Sequence, residues 1–250
     1  MSAAAVALDR EGLRELGGRV VAAAGQPSAP FGVYTFAADA PESELGRHVE
    51  REVFYEFFNN TPELLEAEYG PYEGSTLFVC LMDHRRRLPA GVIRLVLPSP
   101  AGLKSLGDVE PVWGRRIDDV LERTNLRPEA GSAWDIATLA VDSEYRGRAA
   151  DGLVSLGLYQ GVAQLALQCR VKWVVTVLDL VVLNLLQGVM ADPFERFAGL
   201  EPLPYLDSPA SLPVYCDLDA YFARLETADP SMYEILFDGR GLEAAVRPLE

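Results

Sequence analysis

Residues 134–153 read WDIATLAVDSEYRGRAADGL. The first eight are apolar apart from Asp135 and Thr138, the pattern of a buried strand. From Ala149 to Cys169 the chain carries a long apolar helical run, with Gly157 and Gly161 small enough for close packing. A second buried strand, WVVTVLD, follows at 173–179. Strand, helix and strand in this order form a right-handed crossover, so the two strands are expected to be parallel neighbours. Between the first strand and the helix stands Arg146-Gly147-Arg148, expected at the helix start. Free backbone N–H groups and the helix dipole favour an anion there. Two readings fit this junction: a phosphate or pyrophosphate cradle that Gly147 lets the backbone approach, or an ordinary helix start with solvated arginines. Asp151, in the first turn, suits the dipole but repels a phosphate.

Upstream, Leu8, Leu13, Leu16 and Val20 give a helical stripe within 2–25 that Gly25 stops. FGVYTFAAD (31–39) reads as a strand, and 42–58 as a helix with Leu45, Val49, Val53, Phe54 and Phe57 on one stripe. Thr61-Pro62 caps a short second helix, proline occupying a first position where no N–H is needed. STLFVCLMD (75–83) and AGVIRLVLPS (90–99) make an antiparallel hairpin joined by His84-Arg85-Arg86-Arg87. The Pro/Gly-rich stretch 98–131 is longer than ordinary connections and carries one helical piece near 116–123, which marks it as functional. After 173–179 come a helix at 180–190, a last strand pair near 201–205 and 212–217, and a helix from Glu226 onward. The class is α/β: a mixed, mostly antiparallel central sheet with one splayed parallel strand pair and helices on both faces.

The 250 residues, 49% hydrophobic and 24% charged, suffice for one substantial core, and no linker or repeat divides them. A net charge of −15 disfavours nucleic acid and anionic membranes as partners. Arginines nonetheless gather at 85–87, 115–116 and 146/148, leaving room for a phosphate or an acidic partner there. The start has no basic segment followed by a long apolar run, and the greasiest stretch, 173–186, is interrupted by Asp179 and Asn184. No stable membrane insertion and a cytoplasmic location are expected. Cys80, Cys169 and Cys216 are scattered in apolar surroundings far from His48 and His84, so buried structural cysteines and no metal are expected.

From about Phe31 to Asp217 the chain resembles the GNAT superfamily of N-acetyltransferases. Arg146-Gly147-Arg148-Ala149-Ala150-Asp151 occupies that family's R/Q-x-x-G-x-G/A loop, with Ala149 at the first glycine and Asp151 at the second small residue. A narrower likeness is to the acyl-homoserine-lactone (autoinducer) synthases and N-acyl amino acid synthases. Their patterns match Arg51-Glu52-Val53-Phe54, the Gly91–Ser99 strand, the 98–131 insertion and Trp134–Val141. The resemblance implies a domain at 31–217 that transfers acyl groups, with a helical extension at 1–30 and a helical segment at 218–250 packed on the same domain. It implies a thioester donor, acyl carrier protein or coenzyme A, and a small amine acceptor such as an amino acid. By the same likeness the donor is held at Arg146, Gly147, Arg148 and Ala149, and the oxyanion by backbone N–H groups near Leu139 to Val141. Thr138 stands where the synthases have arginine, which points to an acceptor other than homoserine lactone's precursor. Phe194 stands where many GNAT enzymes keep a proton-donating tyrosine, and phenylalanine donates no proton.

Two charged residues in apolar strands are the catalytic candidates. Burial should raise the Asp135 pKa into a range useful to a general base; the other reading makes Asp135 the partner of a buried Arg94. Arg94 in turn is either that scaffold or a clamp for the acceptor's carboxylate. Both readings predict an Arg94–Asp135 pair. Phe54, Phe57, Phe58 and Trp113 either line an acyl tunnel or serve as core. The expected function is N-acyl transfer. The alternatives are an inactive acyl- or protein-binding module of the same fold, and a conventional acetyl-coenzyme A N-acetyltransferase.

Overall fold

A computed structural model describes residues 8–25, 27–127, 131–146, 152–240 and 242. Its centre is an eight-stranded sheet. The strands are β1 (Phe31–Ala37), β2 (Thr76–Asp83), β3 (Leu88–Val96), β4 (Ala133–Val141), β5 (Trp173–Asp179), β6 (Glu195–Arg196), β7 (Leu203–Tyr205) and β8 (Ser208–Asp217). They lie in the order β1-β2-β3-β4-β5-β8-β6, with β7 also on β8. Among the described residues every pairing is antiparallel except β4–β5.

That parallel pair is short. Only Ala133 to Asp135 of β4 lies beside Trp173 to Val175 of β5. Two features then drive the strands apart. On one side, β3 and β4 slip register between Arg94, opposite Thr138, and Leu95, opposite Ile136, so Ala137 is the extra residue of a bulge. On the other, β5 stays paired with β8 along its whole length, Trp173 to Asp179. At the fork the Thr176 hydroxyl donates to the Ile136 carbonyl at 2.7 Å, satisfying the first backbone group that the parting exposes.

One sheet face is covered by α1 (Arg10–Ala23) and α2 (Ser43–Phe58), which bury Leu13, Leu16, Leu45 and Val49 against Phe78, Cys80, Met82 and Val92. Gly46 permits the approach of α2, because a Cβ there would meet Phe78 at 2.9 Å. The opposite face carries α7 (Leu153–Gln168), α9 (Leu218–Ala228) and α10 (Pro230–Leu236) over Val79, Leu81, Ile93 and Leu95. Gly157 and Gly161 of α7 sit tight on Leu81 and Val33, as their spacing implies. A third cluster, around Val109, Trp113, Leu183, Leu212 and Phe197, joins the insertion to the β5–β8 half of the sheet.

The sequence reading and the structure differ at several elements. The insertion folds into three short helices, α4 (Lys104–Gly107), α5 (Val109–Trp113) and α6 (Ile117–Thr124), of which the periodicity shows only the last. Four- and five-residue helices are too short to display a stripe. The C-terminal part forms two helices and begins at Leu218 rather than at Glu226, because Asp217 caps the start by accepting from the Ala220 N–H at 3.1 Å. Cys169 is exposed, contrary to expectation, since it closes α7 at the surface; Cys80 and Cys216 are buried.

Candidate active site

Past Asp135, β4 has no strand partner on its β5 side among the described residues. The Asp142 N–H donates to the Ala90 carbonyl at 3.0 Å, which fixes the alternation along the antiparallel β3–β4 ladder. Groups of Ala140 and Thr138 therefore face β3, and the N–H groups of Leu139 and Val141 turn toward the opening. A strand edge of this kind, inside a wedge between two strands, offers backbone donors to a ligand that lies along it.

A buried polar network stands over the sheet where β4 bulges, between the apolar cores of α2 and of the insertion. Arg94 projects from β3 and is almost fully buried. Its Nε and Nη2 donate to the two oxygens of Glu50 on α2 at 2.9 and 2.5 Å. The Thr138 hydroxyl donates to the same carboxylate. The guanidinium lies between the rings of Tyr69 and Phe78, 4.6 and 4.7 Å from their centroids. Burial works against the Arg94 charge, but its neighbours, Glu50 foremost and then Tyr69 and Glu73, together hold the pKa above its ordinary value. Tyr69 belongs to α3 (Pro62–Tyr69), and its hydroxyl lies 3.4 Å from the carbonyl of Ala137, the bulge residue. Burial raises the Tyr69 pKa well above that of a free phenol.

Asp135 is 0% exposed. Its two oxygens accept from the Ser105 N–H at 2.6 Å and the Ser105 hydroxyl at 2.7 Å. Burial raises its pKa to about 6, against the opposing pull of the Ser105 hydrogen bonds and of Lys104. Lys104 is buried and donates to Glu68 at 2.7 Å, Asp108 at 2.6 Å and the Tyr205 hydroxyl at 3.0 Å. Its ammonium thus ties the insertion to α3 and to β7, and Asp135 ties it to β4.

No protein-family model and no curated protein matches the sequence. Solved structures do. FeeM, an N-acyl amino acid synthase from uncultured soil microbes, superimposes with a TM-score of 0.56 at 13% identity, covering 78% of this chain and 95% of that one. The AHL synthase LasI does so with a TM-score of 0.55 at 15% identity, covering 85% and 96%. The chain has the GNAT fold.

Within the GNAT fold, the residues singled out from sequence separate into three groups. Leu139 and Val141 lie on the open edge of β4. Arg94 and Asp135 lie beneath the bulge but do not pair with each other: Arg94 takes Glu50, and Asp135 takes Ser105. The reason is register, for Asp135 stands opposite Val96, while Arg94 stands opposite Thr138. Arg146 is not at a helix N-terminus. It follows a 3-10 turn at Ser143–Tyr145, and α7 begins only at Leu153. Its Nε donates to the Val141 carbonyl at 2.7 Å, its Nη1 pairs with Glu56 at 3.0 Å, and its guanidinium covers the Phe57 ring at 4.5 Å. Gly147, Arg148 and Ala149 lie outside the described residues, as does Asp151.

The aromatic candidates do not converge on one tunnel. Trp113 is core of the insertion, donating to the Glu201 carbonyl at 2.9 Å, while Phe57 is 58% exposed on α2. Phe194 packs at the seam between two cores. Glu50, Lys104, Ser105 and Tyr69 were not singled out. Glu50 has one legible signal: it falls on the buried stripe of its helix one residue after Val49, where a carboxylate needs a cation. Among the described residues no group of three or more His, Cys, Asp and Glu side chains is placed to hold a metal. No described helix is long and apolar enough to cross a membrane.

Proposed function

We propose that the protein transfers an acyl group from a thioester, borne by acyl carrier protein or coenzyme A, to a small amine such as an amino acid. One observation carries the reading: β4 leaves β5 after Asp135 and presents the N–H groups of Leu139 and Val141 along an open wedge. A thioester carbonyl seated there would develop negative charge on oxygen as the amine attacks. Fixed backbone donors stabilise such charge without reorganising. The amine nitrogen forms the new C–N bond, the C–S bond breaks, and the thiolate leaves with the proton that the nitrogen gives up.

Arg94 and Asp135 act in this reading as positioning residues. The bonds of Arg94 to Glu50 tie β3 to α2 beside the bulge of β4, and those of Asp135 to Ser105 tie β4 to the insertion. The likeness to FeeM and LasI supports acyl transfer through the fold they share. The rival reading is an inactive acyl-binding module, favoured by the occupied oxygens of Asp135 and by Phe194.

Two measurements separate them. Lipid extracts of cells overproducing the protein should contain N-acyl amines absent from control cells. Purified protein should release free thiol from decanoyl-acyl carrier protein or decanoyl-coenzyme A when amino acids are supplied. Thioester binding with neither thiol release nor new lipids would select the inactive module.

A further inference from the structure

The two helices that the α2–α3 connection joins both reach the open edge of β4. Glu50 places the middle of α2 over Arg94 of β3 and Thr138 of β4. The last turn of the helix sets Glu56 and Phe57 on Arg146, which in turn holds the Val141 carbonyl. α3 returns to place the Tyr69 hydroxyl near the Ala137 carbonyl. Both helices therefore stand on residues 137–141, the stretch that β5 leaves uncovered.

Asn60 lies in this connection and is 1% exposed. Its backbone N–H donates to the Phe54 carbonyl at 3.2 Å. Its side-chain Nδ2 and Oδ1 both lack a hydrogen-bond partner among the described residues. Buried polar side chains are nearly always paired, so an amide with both ends open needs an explanation. Packing alone gives none, since an apolar residue would fill the space without stranding a donor and an acceptor. Asn60 joins the two helices that stand on that edge, α2 through Glu50 on Thr138 and α3 through Tyr69 on Ala137.

We propose that Asn60 binds substrate, its carboxamide pairing with a secondary amide of the ligand. A carboxamide holds a donor and an acceptor side by side, so it gives a hydrogen bond to the ligand's C=O and takes one from its N–H. The inference rests on the acyl-transfer reading, in which two molecules carry such a group. One is the donor, through its pantetheine arm; the other is the N-acyl amide product.

Asn60→Leu and Asn60→Ala test it, by thermal melting and by calorimetric titration with three probes. Coenzyme A presents the pantetheine amides, N-decanoylglycine presents a product-like amide, and decanoate presents neither. Asn60→Leu should melt at or above the wild-type temperature, because no described protein group pairs with the amide. Affinity for one amide probe should fall at least tenfold in both variants, with decanoate unchanged. A loss confined to coenzyme A assigns the pantetheine arm, and one confined to N-decanoylglycine assigns the product. Wild-type affinity for both amide probes in the variants would overturn the proposal. So would a lower melting temperature in both variants with a loss of decanoate binding equal to the rest. If Asn60→Leu does not fold, the binding of Asn60→Ala decides. The two readings fail separately: N-acyl amines made equally by wild type and Asn60→Ala would leave acyl transfer standing and remove Asn60 from it. A wild type that binds neither amide probe would sink both.

Discussion

Arg94→Met is expected to cost about 3–5 kcal/mol of folding stability, because it strands the Glu50 carboxylate in the interior with only Thr138 to serve it. Glu50→Met should cost somewhat less, because Glu73 remains 3.5 Å from the guanidinium. A domain of this kind is stable by roughly 5–15 kcal/mol, so either change removes a large share of the total. The double variant Arg94→Met/Glu50→Met should lose far less than the two singles combined. Removing both charges removes the desolvation cost of each, and the neighbouring rings of Tyr69 and Phe78 accept a thioether well. Urea denaturation of the four proteins completes the cycle. Additive losses would show that the two side chains are energetically independent. The parallel cycle on Arg94 and Asp135 should be close to additive, which is the direct consequence of their separate partners.

The second large effect is a pH dependence carried by Asp135. Its pKa rises from 3.8 to about 6 on folding because burial disfavours the charge. The folded state thus binds this proton more tightly than the unfolded chain does. Between about pH 4 and pH 6 the folded protein holds a proton that the unfolded chain has lost, so the contribution of this group falls as pH rises through that window. Above pH 6 the penalty is fully developed, on the order of 3 kcal/mol for a shift of about two units. Asp135→Asn keeps a side chain that can both accept from the Ser105 N–H and meet its hydroxyl, and it carries no charge. Relative to this variant, wild type should be about equal in stability at pH 4 and weaker by up to about 3 kcal/mol at pH 7. Denaturation of both proteins at pH 4, 5.5 and 7 measures the gap. A gap that does not change with pH would mean that Asp135 titrates as an exposed carboxylate does.

Burial patterns made most of the fold legible in the sequence. Alternation and β-branching marked 31–39, 75–83, 134–141 and 173–179 as strands, and helical stripes marked α1, α2 and α7. These signals survive in sequence because each comes from residues within a few positions of one another, read against a single buried face. The strand–helix–strand order at 134–179 then fixed the parallel neighbours, since chain handedness leaves one solution. Single-sequence periodicity also marked Arg94 and Asp135 as costly charges in apolar strands, hence as residues that must have partners.

Which partners they have was a matter for the tertiary structure. Arg94 and Glu50 are separated by 44 positions, and Asp135 and Ser105 by 30. Nothing local records that α2 crosses β3 at Glu50, or that a bulge at Ala137 sets Asp135 opposite Val96. Arg146 shows the same limit from the other direction. Its place after a strand predicts a helix start, but a 3-10 turn intervenes and α2 supplies Glu56 and Phe57 to take the guanidinium. Propensity and hydrophobic period are short-range properties, so the sequence by itself determined the longer strands and helices and their order. A charge in the interior is satisfied by whatever packing brings within about 3 Å, and only the assembled sheet, with its bulge and its overlying helices, decided that.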